Sequence, residues 1–164
     1  MTNPWNALIV RVGRQKWFAT AFKGVAPHVD RFLGRVTGGR VSMLTGTGIK
    51  TLLLTTTGRK SGQQRTVPLL YSRHEGALLV VGSNWGQEQV PAWSLNLLAN
   101  PEATVAVGGA SGPVRARVVE GEERELVWNT ILLKNWPGFK DYAERAGRHI
   151  TIFALEPVKK TTAG

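Results

Sequence analysis

Gly58-Arg59-Lys60-Ser61-Gly62 closes an apolar, β-branched run that starts at Leu52, and Arg65 follows shortly after. Two glycines let the backbone turn sharply and leave its N–H groups free to face a ligand. Ser61 adds a hydroxyl donor, while Arg59 and Lys60 add adjacent cations and Arg65 re-enters on the next strand. Such a turn suits a phosphate or carboxylate held by charge-assisted hydrogen bonds. An exposed hairpin turn kept soluble by basic residues has the same composition, and local chemistry does not separate the two. The spacing is not that of a Walker loop, and no G-x-G-x-x-G follows a strand, so nucleoside triphosphate and dinucleotide folds lose weight.

A second segment, VVGSNWGQEQVPAW, leaves a β-run for a glycine-bounded loop carrying Ser83, Asn84 and Trp85, then enters a helix at Pro91. Side-chain donors and the positive end of a helix are thereby presented together, as an anion or a ring carbonyl requires. Trp85 and Trp93 could wall a fused aromatic ring or simply fill the core. Other chemistries find little support. Cysteine is absent, which removes thiolate nucleophiles, disulfides and cysteine-ligated metals and suits a reducing cytoplasm. His28, His74 and His149 fall in three separate elements with no second ligand nearby, so no metal is expected and they receive no role. There is no G-x-S-x-G elbow, and the acids cluster on one helix, so an enzyme of this kind would rely on a bound cofactor.

The elements that must position these residues follow from periodicity. Short β-type runs are expected at Lys50 to Thr57, Thr66 to Arg73 and Ala77 to Ser83, then a helix from Pro91 to the break at Asn100-Pro101. A strand pair, Glu102 to Val107 and Val114 to Glu120, is expected across the turn GGASGP, followed by an amphipathic helix from Glu122 to Lys134 and a last strand from Ile150 to Leu155. Two earlier helices are expected, one capped by Asn3 with Pro4 at its first position and one beginning at Pro27. Six short, mostly antiparallel strands with helices between and around them make an α+β fold, a small barrel.

At 164 residues and 42% hydrophobic, the chain fits a single domain, organised as a basic helical leader over 1–45, a barrel over 46–157 and a flexible tail over 158–164. Its apolar N-terminal stretch is interrupted by Arg11 and Arg14, so neither a signal peptide nor a spanning helix is expected, and the location is read as cytoplasmic. Net charge is +10, and Asp30 is the lone acid before Glu75, so the basic half faces something anionic: nucleic acid, a lipid surface, or a phosphorylated or carboxylated small molecule.

LLLTTTGRKSGQQRTVPLLY, GSNWGQEQVPAWSLNLLANPEATV and DYAERAGRHITIFALEP, taken together and in this order, resemble the deazaflavin-dependent nitroreductase and quinone reductase family. The resemblance runs from about Lys50 onward and implies a split β-barrel related to flavin-binding pyridoxamine phosphate oxidases. It also implies coenzyme F420, a deazaflavin whose tail carries a phosphate and a polyglutamate chain. On that basis Arg59, Lys60, Ser61, Gly62 and Arg65 would hold the tail phosphate. Val67, Pro68 and Leu69, with Gly82, Ser83, Asn84, Trp85 and Gly86, would line the ring, and Ala92, Trp93 and Asn96 match positions near the cofactor. The implied activity is hydride transfer from the reduced deazaflavin to a small electron-poor acceptor: a quinone, a nitroaromatic or an activated enone. Ser83 and Tyr142 are the candidate catalytic proton donors. Where well-known members carry a cluster of tyrosines, this chain has Trp136, Phe139 and Tyr142 as candidate substrate-binding residues, a more apolar set that favours quinones.

The nearest rival is a flavin mononucleotide enzyme on the same barrel, since its phosphate would also satisfy Gly58 to Gly62. A second, non-enzymatic reading makes the chain a basic membrane-surface binding protein, its tryptophan-bearing N-terminal helix a peripheral contact at the inner face of the membrane. Nucleic acid ranks last, because the aromatics form no stacking platform on adjacent strands. A homodimer is left open.

Overall fold

Alternation sets the first strand. In β1 (Thr51–Thr57) the side chains of Leu52, Leu54 and Thr56 are buried while their neighbours are half-buried, the period of two that a pleated strand imposes. The computed structural model describes residues 50–158; the expected leader, its two helices and residues 159–164 of the expected tail lie outside the described residues. β1 is followed by β2 (Gln64–Leu70), β3 (Ser72–His74), β4 (Ala77–Val81), β5 (Glu102–Val107), β6 (Ala110–Val118) and β7 (Ile152–Pro157). They form one seven-stranded sheet in the order β2-β1-β5-β6-β7-β4-β3, with every neighbouring pair antiparallel. Helix α1 (Ala92–Ala99) joins β4 to β5; α2 (Gly121–Val127) and α3 (Gly138–Ala146) join β6 to β7. The class is α+β and the curled sheet is a split barrel.

β4 reads Ala-Leu-Leu-Val-Val without a polar residue because it is buried on both faces. Leu78 and Val80 join Leu52, Leu54, Trp93, Val105, Val114, Phe153 and Leu155 in one core. Ala77, Leu79 and Val81 join Ile152, Ala154, Val127, Leu132, Phe139 and Tyr142 in the other, beneath α2 and α3. β7 divides its side chains the same way, so β4 and β7, paired from Leu78↔Leu155 to Val81↔Ile152, carry both cores. Antiparallel strands buried on both faces lose the polar alternation of half-exposed ones.

The boundaries depart from expectation where the chain changes partner. The run expected from Thr66 to Arg73 is two strands: the Tyr71 N–H donates to the Lys50 carbonyl at 3.1 Å, after which Ser72 pairs with Leu79 of β4. At Tyr71 the strand leaves β1 for β4. The turn expected over GGASGP is the two residues Gly108 and Gly109, at φ +58° and +88°, and Ala110 already pairs with Val107, so β6 starts four residues earlier than read. β4 ends at Val81, and β7 starts at Ile152 because its pairing with β4 begins there.

The helix expected from Glu122 to Lys134 is α2 continued by a π-helical stretch, Trp128–Leu132, and one further turn, Leu133–Asn135. There the Asn129 amide donates to the Glu125 carbonyl at 2.9 Å and the Thr130 hydroxyl to that of Leu126 at 2.6 Å, side chains competing for carbonyls of the ladder. Helix α3 was not among the expected elements; its buried Phe139, Tyr142 and Ala146 recur at helical spacing.

Candidate active site

The basic turn is shaped from below. Gly62 N–H donates to the Gly58 carbonyl at 2.7 Å and Gly58 N–H to that of Gln63 at 2.8 Å, closing the loop between β1 and β2, so these two backbone N–H groups bond within the turn and do not stand free for a ligand as expected. Asn96, on α1 and 4% exposed, accepts from the Arg59 N–H at 3.1 Å and donates to the Thr56 hydroxyl at 3.1 Å. A buried amide thus joins the helix to the turn, and a satisfied buried polar group of this kind fixes geometry. Ser61 Oγ accepts from the Gln63 N–H at 3.3 Å, and an Arg65 Nη donates to Gln63 Oε1 at 3.0 Å. The side chains of Arg59, Lys60, Ser61 and Arg65 are exposed, available to an anion.

The loop after β4 is held in an unusual backbone. Asn84, Trp85 and Gly86 all have left-handed φ values, +47°, +58° and +77°; asparagine tolerates this region, whereas for Trp85 it costs roughly 1–2 kcal/mol. The Asn84 amide donates to the Gln89 carbonyl at 2.8 Å, and Trp85 packs edge-on against Tyr142 with ring centres 6.1 Å apart. Arg148 donates to the carbonyls of Gly82 (3.0 Å), Ser83 (3.4 Å), Gln87 (3.3 Å) and Gln89 (3.3 Å). Burial lowers the pKa of Arg148 by desolvation, but guanidinium stays charged in proteins.

Gly86 lies against α3. A Cβ built on it would sit 3.0 Å from Tyr142 Cα and 3.1 Å from the Tyr142 carbonyl oxygen, whereas one on Gly62, at φ +69°, would meet nothing within 4 Å. Gly62→Ala should therefore cost about 1–2 kcal/mol for the left-handed backbone alone, and Gly86→Ala should cost more because backbone must also move. Chemical denaturation of the two variants checks this; equal losses would show that the approach of loop to helix is not tight.

These elements enclose a cleft of about 540 Å³. β2 supplies Val67, Pro68, Leu69 and Leu70, and the end of β4 supplies Val81. The loop and the start of α1 contribute Ser83, Asn84, Trp85, Ala92 and Trp93, and α3 contributes Phe139 and Tyr142. Arg59 lines it too, so the basic turn and the apolar cleft are continuous. Of the remaining residues singled out from the sequence, Lys60, Ser61 and Gly62 stand on the turn and Arg65 at the start of β2, all outside the lining, while Gly82, Gly86 and Asn96 are buried and do not line it. Trp136 is 6% exposed, in the core under α3, and its indole N–H has no hydrogen-bond partner among the described residues. It does not line the cleft.

Leu70, Val81, Gln89, Val90, Pro91 and Leu95 line the cleft without having been singled out. Gln89, Val90 and Pro91 continue the same loop, and Leu95 follows Ala92 by three residues on α1, so helical spacing alone places them together.

The F420H(2)-dependent quinone reductase family model matches residues 26–157. The chain is 33% identical over 123 residues to an F420H(2)-dependent quinone reductase of Mycobacterium tuberculosis strain H37Rv, covering 74% of this chain and 83% of that one. Among solved structures, the F420-H2 dependent reductase FDR-A is similar at a TM-score of 0.60 and 37% identity, over 65% of this chain and 94% of that one. A domain-swapped dimer is similar at a TM-score of 0.62 and 32% identity, over 79% of this chain and 97% of that one. With the split barrel and its cleft, these matches identify an oxidoreductase whose cofactor is coenzyme F420, and the chain belongs to the F420H(2)-dependent quinone reductase family.

Proposed function

We propose that the chain reduces a quinone, taking hydride from F420H2 held in the cleft. One observation carries the reading: Arg59 belongs both to the basic turn and to the lining of an otherwise largely apolar cleft. A flat ring with an anionic tail fits such a site, apolar where the ring would lie and cationic where the tail would leave. Arg59, Lys60, Ser61 and Arg65 would hold the tail phosphate, and the β2 residues Val67 to Leu69 with the Ser83 to Trp85 loop would hold the ring. When bound, the reduced deazaflavin supplies a hydride.

The residues of the chain do the rest. Phe139 and Tyr142, their rings 6.4 Å apart and edge-on, offer an acceptor an apolar wall with one hydroxyl. Holding acceptor and donor together replaces an encounter in solution with a positioned one. A quinone that gains a hydride becomes a hydroquinone anion and needs one proton; Ser83, 8% exposed, and Tyr142 line the cleft, and their hydroxyls are the proton donors of this reading. The same hydride could pass to a nitroaromatic or an activated enone, but the apolar α3 wall favours the quinone.

Among the described residues no helix is long and apolar enough to cross a membrane. The basic excess of residues 1–45 supports a peripheral position at the inner face of a membrane, where lipophilic quinones reside. The domain-swapped neighbour supports a homodimer.

The test begins with parallel titrations of oxidised F420 and flavin mononucleotide, read by tryptophan fluorescence. F420H2 oxidation is then followed with menadione and with a nitroimidazole. F420 should bind and flavin mononucleotide should not compete, with menadione turned over faster. Faster nitroimidazole turnover would overturn the quinone assignment.

A further inference from the structure

Arg148 comes directly after Gly147, the left-handed residue that ends α3. Its guanidinium reaches back across the fold to a loop some sixty residues earlier, donating from Nη2 to the carbonyls of Gly82, Ser83 and Gln89 and from Nε to that of Gln87. Nη1 donates to the His149 carbonyl at 3.3 Å. Among the described residues, its ion-pairing partners do not include a carboxylate. The charge is thus directed at the negative ends of peptide dipoles, all but one of them in the loop that borders the cleft.

That loop cannot hold its shape by local preference. Asn84 and Trp85 are both left-handed; asparagine tolerates that conformation, but a bulky tryptophan adopts it only where its surroundings over-determine it. The Asn84 amide bond to Gln89 is one constraint, and the Arg148 fork, which also reaches Gln89, ties both ends of the loop to a single planar group. Five N–H donors in fixed geometry can span several carbonyls; an ammonium, a point charge with three donors, cannot.

We propose that Arg148 is a positioning residue: by gathering the carbonyls of Gly82, Ser83, Gln87 and Gln89 it keeps the loop in the strained form that presents Ser83, Asn84 and Trp85 to the cleft, and so sets cofactor affinity. Arg148 itself does not line the cleft. The part concerning affinity rests on the reading that F420 occupies this cleft; the part concerning the loop does not.

Arg148→Lys and Arg148→Ala separate these. Amide hydrogen exchange without cofactor should quicken roughly tenfold or more across residues 83–89 in both variants while β1 and β5 keep wild-type protection. F420 affinity, by fluorescence titration, should fall roughly tenfold or more in both, and millimolar guanidinium chloride should restore part of it to Arg148→Ala. Unchanged loop exchange in Arg148→Lys would overturn the proposal, as would exchange that quickens equally in every strand, which marks a merely structural residue. Faster loop exchange with unchanged affinity would overturn the link to the cofactor. Should the wild type itself fail to bind F420, the reading of the cleft falls, and the exchange data still decide the role of Arg148 in the loop.

Discussion

Replacing Arg59 and Lys60 together by alanine should weaken F420 binding by roughly a hundredfold while leaving the melting temperature within error. Hydrogen bonds to charged groups contribute ~1.5–3 kcal/mol each, and because both side chains are exposed the low end applies twice, ~3 kcal/mol in all. The fold should be spared for a specific reason. The bond that anchors the turn is made by the Arg59 backbone N–H to Asn96, which truncating the side chain does not remove. Salt offers an internal check, since exposed charges are screened over about 10 Å at 0.1 M: the gap between wild type and variant should narrow as ionic strength rises. Fluorescence titration across a salt series measures both. An affinity unchanged at low salt would mean that other cations of the chain hold the tail.

The second large effect is expected in the barrel interior. Phe153 is 1% exposed, with its ring 5.7 Å from that of Trp93, and lies on a strand paired with Val80 on one side and Val118 on the other. Phe153→Ala should destabilise the protein by ~3–5 kcal/mol, the range for a buried aromatic whose surroundings cannot collapse into the space it leaves. For a chain of this size that lowers the melting temperature by roughly 10 °C. Trp93 links stability to the site, because it packs on Phe153 and also lines the cleft. F420 affinity should therefore fall as well, measured well below the melting temperature. Urea denaturation gives the stability term, and a midpoint like that of the wild type would show that the two rings do not share one packed core.

The parts of this architecture that could be read from residue types are those whose cause is local. β5 was legible to the residue because Pro101 and the Gly108-Gly109 turn bracket it. The turn after β1 and the Ser83 to Trp85 loop were legible because glycines flank runs of donors. What escaped was decided at a distance. The break at Tyr71 depends on where β4 lies, and nothing in Leu-Leu-Tyr-Ser-Arg announces a change of partner. The π-helical stretch has no residue signature beyond Asn129 and Thr130, which also suit an ordinary helix. Trp136 carried the chemistry of a pocket residue, yet α3 buries it in the core. Arg148 was not singled out at all, because the carbonyls it holds lie on a loop near Gly82, far away in the chain.

The placement of β7 has a consequence for how the protein is made. It stands between β6 and β4 and supplies Ile152 and Ala154 to one core and Phe153 and Leu155 to the other. It is also the last of the described strands to leave the ribosome, so during synthesis β4 has an unpaired edge and each core lacks two of its buried side chains until residues 152–157 emerge. Neither half can mature ahead of the other. Such late, long-range pairing is slow and leaves the nascent chain exposed to aggregation and to chaperones for most of its translation.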